Sequence, residues 1–436
     1  MNIQSSDTLS LPKNEIYRQR DSWGNLIRKL ISLFIVVFPW VIFPFSEGPL
    51  EALRGKTLFV SMIFLTVLWL LRSLEQKKFE WRKTRINWLF FSGLAVLFLF
   101  FLYAPSLRYA WNGYTGSETG GFSEHLAFVL FFFLAVQLFD VPTWEKNIRF
   151  FLASGLLTLL ASILAAIFFQ DNNLLTLNFA KTPTLFTAFC GVTAFSFWWL
   201  KKKSEPLLKG RIFLVSLLLL FIASLLDFYL AWWMWFAGIF TLLILDLIVK
   251  IEKYLKDRES SYLNLKGSGR ADFLSELFRG DFKYLSLILL FTFSRAVSPV
   301  FLGQKELVVM PFSAYLEKFS VFGQRVYFYL ILNGIIFLLG LYHFFKLKKE
   351  RQAIGIVLSG LVCISVGHLL YFSESTLLFF LNWILIIFGG LTFLRKPPER
   401  DFMYLLEGGS RKKVFIFIVS VLTIALTGMV YLKLLI

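Results

Sequence analysis

The sequence predicts an all-α polytopic integral membrane protein of about 13 transmembrane helices, with the N-terminus in and the C-terminus out. Three observations predict it. Of the 436 residues, 57% are hydrophobic and 19% aromatic, with 53 Phe and a mean hydropathy of +0.68, where soluble domains hold about 45–50% apolar residues. Charge-poor runs near the length that crosses a bilayer core, roughly 17–25 residues, follow one another along the chain. The 45 Lys and Arg residues, set against 28 Asp and Glu, concentrate in alternate loops.

The expected spans are 30–46, 57–71, 86–104, 125–139, 150–169, 183–200, 212–226, 228–249, 284–301, 326–345, 352–372, 376–394 and 414–436. Each must be helical, because hydrocarbon cannot satisfy an open backbone. The first follows a tail, 1–29, and contains Pro39 and Pro44 without a small-residue cleavage pattern after it, so no removable signal peptide is expected. The runs 57–71 and 125–139 are short and need flanking residues to complete a span. The run 212–249 is too long for one helix, and Asp227 marks the expected tight turn within it.

Alternating these spans places 36 of the 45 Lys and Arg in the tail and in loops 72–85, 140–149, 201–211, 250–283, 346–351 and 395–413. Only seven fall in the opposite loops: Arg54, Lys56, Arg108, Lys181, Lys305, Lys318 and Arg325. The positive-inside rule makes the first set cytoplasmic. The expected organisation is a cytoplasmic tail, 1–29, and one transmembrane helical domain, 30–436, with a cytoplasmic loop at 250–283 and short outer loops at 105–124 and 302–325. Within 250–283, "ADFLSELFRGDFK" places Phe273, Leu274, Leu277, Phe278 and Phe282 along one stripe, as in a helix lying on the cytoplasmic leaflet. The net charge of +17 is then a topology signal, with contact to anionic lipids as its consequence. No nucleic-acid partner is expected.

Cys190 and Cys363 lie in apolar runs, and His125, His343 and His368 are scattered without ligand spacing. No metal site or disulfide framework is expected. No phosphate-binding loop, dinucleotide fingerprint or nucleophile elbow occurs in a supporting context, so no cofactor is expected.

Chemistry is therefore sought among polar groups near the outer face. Arg295 lies inside a span, where a charge is costly and marks a candidate site, although snorkelling to the headgroups is open to it. Asp227 sits at an outer turn, either as a solvated carboxylate or as a general base. Arg54 and Lys56 lie just outside the second span, as phosphate ligands or as interfacial anchors. Arg108 precedes Trp111, Tyr114 and a Gly-rich turn, a composition that suits sugar rings and equally an interfacial belt. His125 opens the fourth span, where an imidazole can accept a proton near neutral pH. His368, near the outer end of the eleventh span, is a weaker candidate of the same kind.

Several of these stretches together resemble the bacterial O-antigen ligase and polymerase-like multispan family. They are "EALRGKTLFVSMIFLTVLWLL" (51–71), "EWRKTRINWLFF" (80–91), "SLRYAWNGYTGSETGGF" (106–122) and the hairpin beginning "SLLDFYLAWWMWF" (224–236). The resemblance runs through residues 30–300. It implies a membrane glycan transferase of the bacterial cytoplasmic (inner) membrane, multi-pass, acting at the outer face on an undecaprenyl-pyrophosphate-linked saccharide without a metal. Arg295, Asp227 and His125 are then the expected catalytic residues, and Arg108, Trp111, Tyr114, Arg325 and Arg54 the expected substrate-binding residues. Lipid-linked saccharide and membrane lipids are the expected partners. The chain departs from the family pattern at Tyr229, where the family carries Arg, and in its short 302–325 loop, which lacks His. A lipid-linked glycan carrier, or an inactive scaffold of the same family, is the alternative expectation.

Overall fold

The computed structural model describes residues 22–38, 49–75, 78–79, 82, 84–102, 122–168, 181–200, 206–226, 228–262, 324–371, 376–395 and 404–405. Among the described residues eleven α-helices occur in chain order: α1 (Ser22–Val37), α2 (Pro49–Glu75), α3 (Asn87–Leu102), α4 (Phe122–Leu138), α5 (Val141–Phe168), α6 (Lys181–Leu200), α7 (Pro206–Leu226), α8 (Phe228–Tyr262), α9 (Gln324–Lys346), α10 (Arg351–Tyr371) and α11 (Thr376–Leu391). Each overlaps one expected span, α1 (Ser22–Val37) sharing only residues 30–37 with the expected 30–46. The expected spans 284–301 and 414–436, and the expected surface helix in 271–283, lie outside the described residues.

Four helical segments are long and apolar enough to cross a membrane, Gly55–Ser73, Ala231–Lys256, Tyr329–Lys346 and Lys348–Leu370, and four shorter apolar helices accompany them among the described residues. The distribution of side chains agrees with a lipid surround. Leu214 and Leu338 are each 68% exposed, whereas Ser196, Ser359, His368 and Asn382 are fully buried. Apolar groups outside and polar groups inside is the arrangement that hydrocarbon favours and water does not. The chain is an all-α membrane protein.

At the centre stands α11, whose described side chains from Phe379 to Leu391 are all buried. It packs against α2, α4, α5, α6 and α10. Lipid tails are as apolar as Leu, so helices in a membrane associate through close packing and hydrogen bonds rather than through the hydrophobic effect. Both devices are present. Trp144 of α5 donates its indole N–H to the Ile384 carbonyl at 3.3 Å, and the Ser196 and Ser359 hydroxyls meet at 2.8 Å between α6 and α10. A Cβ on Gly238 of α8 would lie 2.7 Å from Val192 and 3.1 Å from the Ser359 carbonyl, so only glycine permits that approach. Phe34, Phe38, Phe131 and Phe380 fill the space around α11 with tilted, edge-on and stacked rings, each such pair contributing about 0.5–1.5 kcal/mol beyond burial.

Contacts fix the relative directions of the helices. Gly55 near the start of α2 abuts Glu124 at the start of α4, and Arg82, beyond the end of α2, bonds Gln137 and the Phe139 carbonyl at the end of α4. The starts of α9 and α11 lie with these starts, since Tyr329 stacks on both His125 of α4 and Phe379 of α11. Their ends lie with these ends, where His343 meets Arg85, and Leu394 accepts from the Arg85 backbone N–H at 2.9 Å. The C-terminal part of α8 reaches the same place through Glu252 and Arg351. Two ends of the bundle are thereby defined, a basic end and a histidine end.

Three loops differ from expectation. Residues 140–149, expected as a loop, begin α5, because Pro142 in the first turn sacrifices no hydrogen bond and the Asp140 carbonyl accepts from Trp144 N–H at 3.0 Å. The loop 250–283 starts as helix to Tyr262. The loop 72–85 contains a strand, β1 (Lys78–Phe79), antiparallel to β2 (Tyr404–Leu405), with Lys78 opposite Leu405. A bridge between Thr84 and Arg395 extends this connection.

Candidate functional site at the histidine end

Four rings follow one another at the histidine end. His125 of α4 stacks on Tyr329 of α9 (centroids 5.9 Å), Tyr329 on Phe379 of α11 (4.3 Å), and Phe379 on His368 of α10 (5.2 Å), with interplanar angles of 24°, 22° and 20°. His125 is 6% exposed and His368 fully buried. The two histidines expected separately thus lie at opposite ends of one ring stack.

Hydrogen bonding connects Trp383, Tyr329 and His125. The Trp383 indole N–H, a donor only, gives its hydrogen to Tyr329 Oη at 3.0 Å. Tyr329 Oη also lies 3.5 Å from His125 Nδ1, at the outer limit of a hydrogen bond.

One helical turn deeper lies a second polar layer. Asn333 follows Tyr329 by four residues, Asn382 follows Phe379 by three, and Ser365 precedes His368 by three, so each shares a face with its ring above. Asn382 donates to Asn333 Oδ1 at 2.9 Å, and Asn333 donates to Ser365 Oγ at 2.9 Å. Buried amides without partners cost several kcal/mol in hydrocarbon, so these bonds, which pair both polar atoms of Asn333 and the NH2 of Asn382 but leave Asn382 Oδ1 without a partner, offset part of that cost.

A carboxylate and a basic turn border the ring stack. Glu124, beside His125 in the first turn of α4, is 3% exposed. Its Oε2 lies 3.3 Å from where a Cβ on Gly55 would stand, so the missing side chain makes room for the carboxylate. Arg54 and Lys56 flank that glycine on α2. Arg325 lies on α9 one turn before Tyr329.

Of the expected site residues, His125, Arg54 and Arg325 lie on helical turns that meet at this end. Arg295, Asp227, Arg108, Trp111 and Tyr114 lie outside the described residues. Sequence reasoning missed Glu124, Tyr329, Asn333 and Asn382. The two asparagines carried a signal, since "LILNGII" and "FFLNWIL" each place an amide in an otherwise apolar run. Glu124 carried little, being the ordinary acidic residue of a first helical turn.

Among the described residues no group of three His, Cys, Asp or Glu side chains is placed to hold a metal ion. Comparison with protein-family models, with curated proteins and with solved structures finds no match to the chain.

Proposed function

We propose that this membrane protein is a glycan transferase that moves a saccharide from a lipid pyrophosphate carrier, of the undecaprenyl type, to an acceptor hydroxyl at the histidine end. The observation that carries the reading is the meeting, at one end of the bundle, of the Arg54–Gly55–Lys56 turn, the Glu124–His125 turn and the ring stack reaching His368. Such a transfer needs a proton acceptor, cationic groups for a leaving pyrophosphate, and apolar or aromatic walls. In the reaction the acceptor hydroxyl gives its proton to a base and its oxygen bonds the anomeric carbon. The bond from that carbon to the carrier pyrophosphate breaks, and the pyrophosphate leaves on its lipid.

In this reading His125 or Asp227 takes the acceptor proton, and Arg54, Arg295 and Arg325 stabilise charge on the departing pyrophosphate. Arg108, Trp111 and Tyr114, in the stretch leading into α4, hold sugar rings. The basic end is cytoplasmic under the positive-inside rule, the histidine end is outer, and the chain makes about 13 crossings of a bacterial cytoplasmic membrane.

The test is transfer of a labelled glycan from an undecaprenyl pyrophosphate donor by the purified full chain in bilayers, beside Arg295→Ala. Product from the wild type that is lost in a folded, inserted variant supports the reading. Donor binding without product, across several acceptors, overturns it in favour of a carrier or an inactive scaffold.

A further inference from the structure

At the basic end, one carboxylate gathers three cations. Glu252, on the part of α8 that continues past the apolar run, receives Lys256 at 3.1 Å and Lys348 at 3.2 Å on the same oxygen, Oε1, while Arg351 binds Oε2. The three do not stand alike. Arg351 is 14% exposed; its Nε donates to the Phe344 carbonyl at 2.9 Å and its guanidinium lies over the Phe344 ring. It is the fixed anchor joining α8 to the turn between α9 and α10. Lys256 and Lys348 are 55% and 57% exposed. Two ammonium groups are thus drawn together on one carboxylate oxygen, each spending one of its three donors there. Two positive charges remain in excess of the single negative one.

This excess sits at the edge of the apolar belt. Ile251 and Leu255 on α8, and Tyr342 and Phe345 on α9, are exposed apolar or aromatic side chains within a turn or two of the cations. Lys346 adds a further ammonium, over the Tyr342 ring. A ligand that fits must carry a compact anion with at least two acceptor oxygens, and an apolar part that lies along these side chains. We propose that the notch between the α8 extension and the α9–α10 turn binds the phosphodiester of an anionic phospholipid, with Lys256 and Lys348 as its direct ligands. Arg351 and Glu252 are positioning residues, holding the two lysines at the spacing of one phosphate. The acyl chains lie against the exposed faces of α8 and α9. The site is independent of the transfer proposed at the other end.

The experiment is native mass spectrometry of the full chain released from mixed micelles holding equal amounts of phosphatidylglycerol and phosphatidylcholine. The wild type is expected to retain phosphatidylglycerol preferentially. Each of Lys256→Gln and Lys348→Gln is expected to weaken that retention about five-fold, and the double variant about 25-fold, since a basic residue near an anionic lipid surface contributes a factor of this size. Lys349→Gln, an exposed lysine of the same turn outside the clasp, controls for loss of charge alone and is expected to change retention less than either ligand variant. Equal retention of the two lipids by the wild type overturns the proposal. So does a double variant that binds as the wild type does, or displacement of the lipid by millimolar inorganic phosphate, which would make the ligand a free anion. Unchanged melting of both single variants in lipid-free detergent shows that they fold, so that lost retention reports on binding.

Discussion

The two ends of the bundle solve the problem of polar groups in a membrane protein in opposite ways. At the basic end most described charges are exposed or paired, Lys250 with Asp246 at 3.2 Å and Glu252 with its three cations, while the buried imidazole of His343 lies against Arg85. Arg82 there donates to the Val136 and Phe139 carbonyls at the end of α4, where helix C-terminal carbonyls otherwise have no partner. At the histidine end enclosed groups gather: His125, Tyr329, Trp383, Asn333, Asn382 and His368, with Glu124 beside them. Exposed ion pairs stabilise little, whereas enclosed networks stand or fall as a unit. The difference teaches where chemistry belongs. Water-facing charge orients and anchors the chain, while enclosed imidazole, phenol and amide groups in a low dielectric can shift protons or grip a ligand.

The contrast is open to attack by substitution. The largest effect is expected for Trp383→Ala, which removes ring contacts to Phe90, Phe128, Phe132 and Tyr329 together with the bond to Tyr329 Oη. A loss of about 3–5 kcal/mol is expected, read by unfolding in detergent. Next comes Asn333→Leu, which strands the Asn382 amide and costs about 1–3 kcal/mol. The pair Asn333→Leu and Asn382→Leu is expected to cost less than that single change, because it removes both partners at once. A double-mutant cycle measures this directly. Gly55→Ala pushes Glu124 aside and is expected to slow transfer roughly tenfold while leaving the melting temperature nearly unchanged, as small displacements at a reacting centre do. Smallest is Lys146→Ala at the basic end, whose ammonium lies 5.6 Å from the Phe150 ring centroid; a change within about 0.5 kcal/mol is expected.

The helices were legible because hydrocarbon length and charge asymmetry are properties of single segments. The division of the 212–249 run was legible for the same reason: one helix ends at Leu226 and the next starts at Phe228, with Asp227 itself outside the described residues. The start of α5 was not, since Glu145, Lys146 and Arg149 made a helical turn look like a loop. Two-residue strands lie below any sequence period, so the pairing of Lys78 and Phe79 with Tyr404 and Leu405 left no trace. His125 was visible as a titratable group at a helix start. Its partner Tyr329 stands 204 residues away in sequence, and nothing local links the two. Convergence of that kind belongs to helix packing, which one sequence does not display.

The central claim is that the enclosed histidine end carries the transfer. Its most direct test compares His125→Ala with Lys146→Ala in glycan transfer from the undecaprenyl pyrophosphate donor, both reconstituted at matched amounts and checked for folding. Loss of transfer by at least about 100-fold in His125→Ala, the scale of a general base, with wild-type rates in Lys146→Ala, is the result predicted here. Equal rates in the two variants, with product still forming, would contradict it and remove His125 from the chemistry.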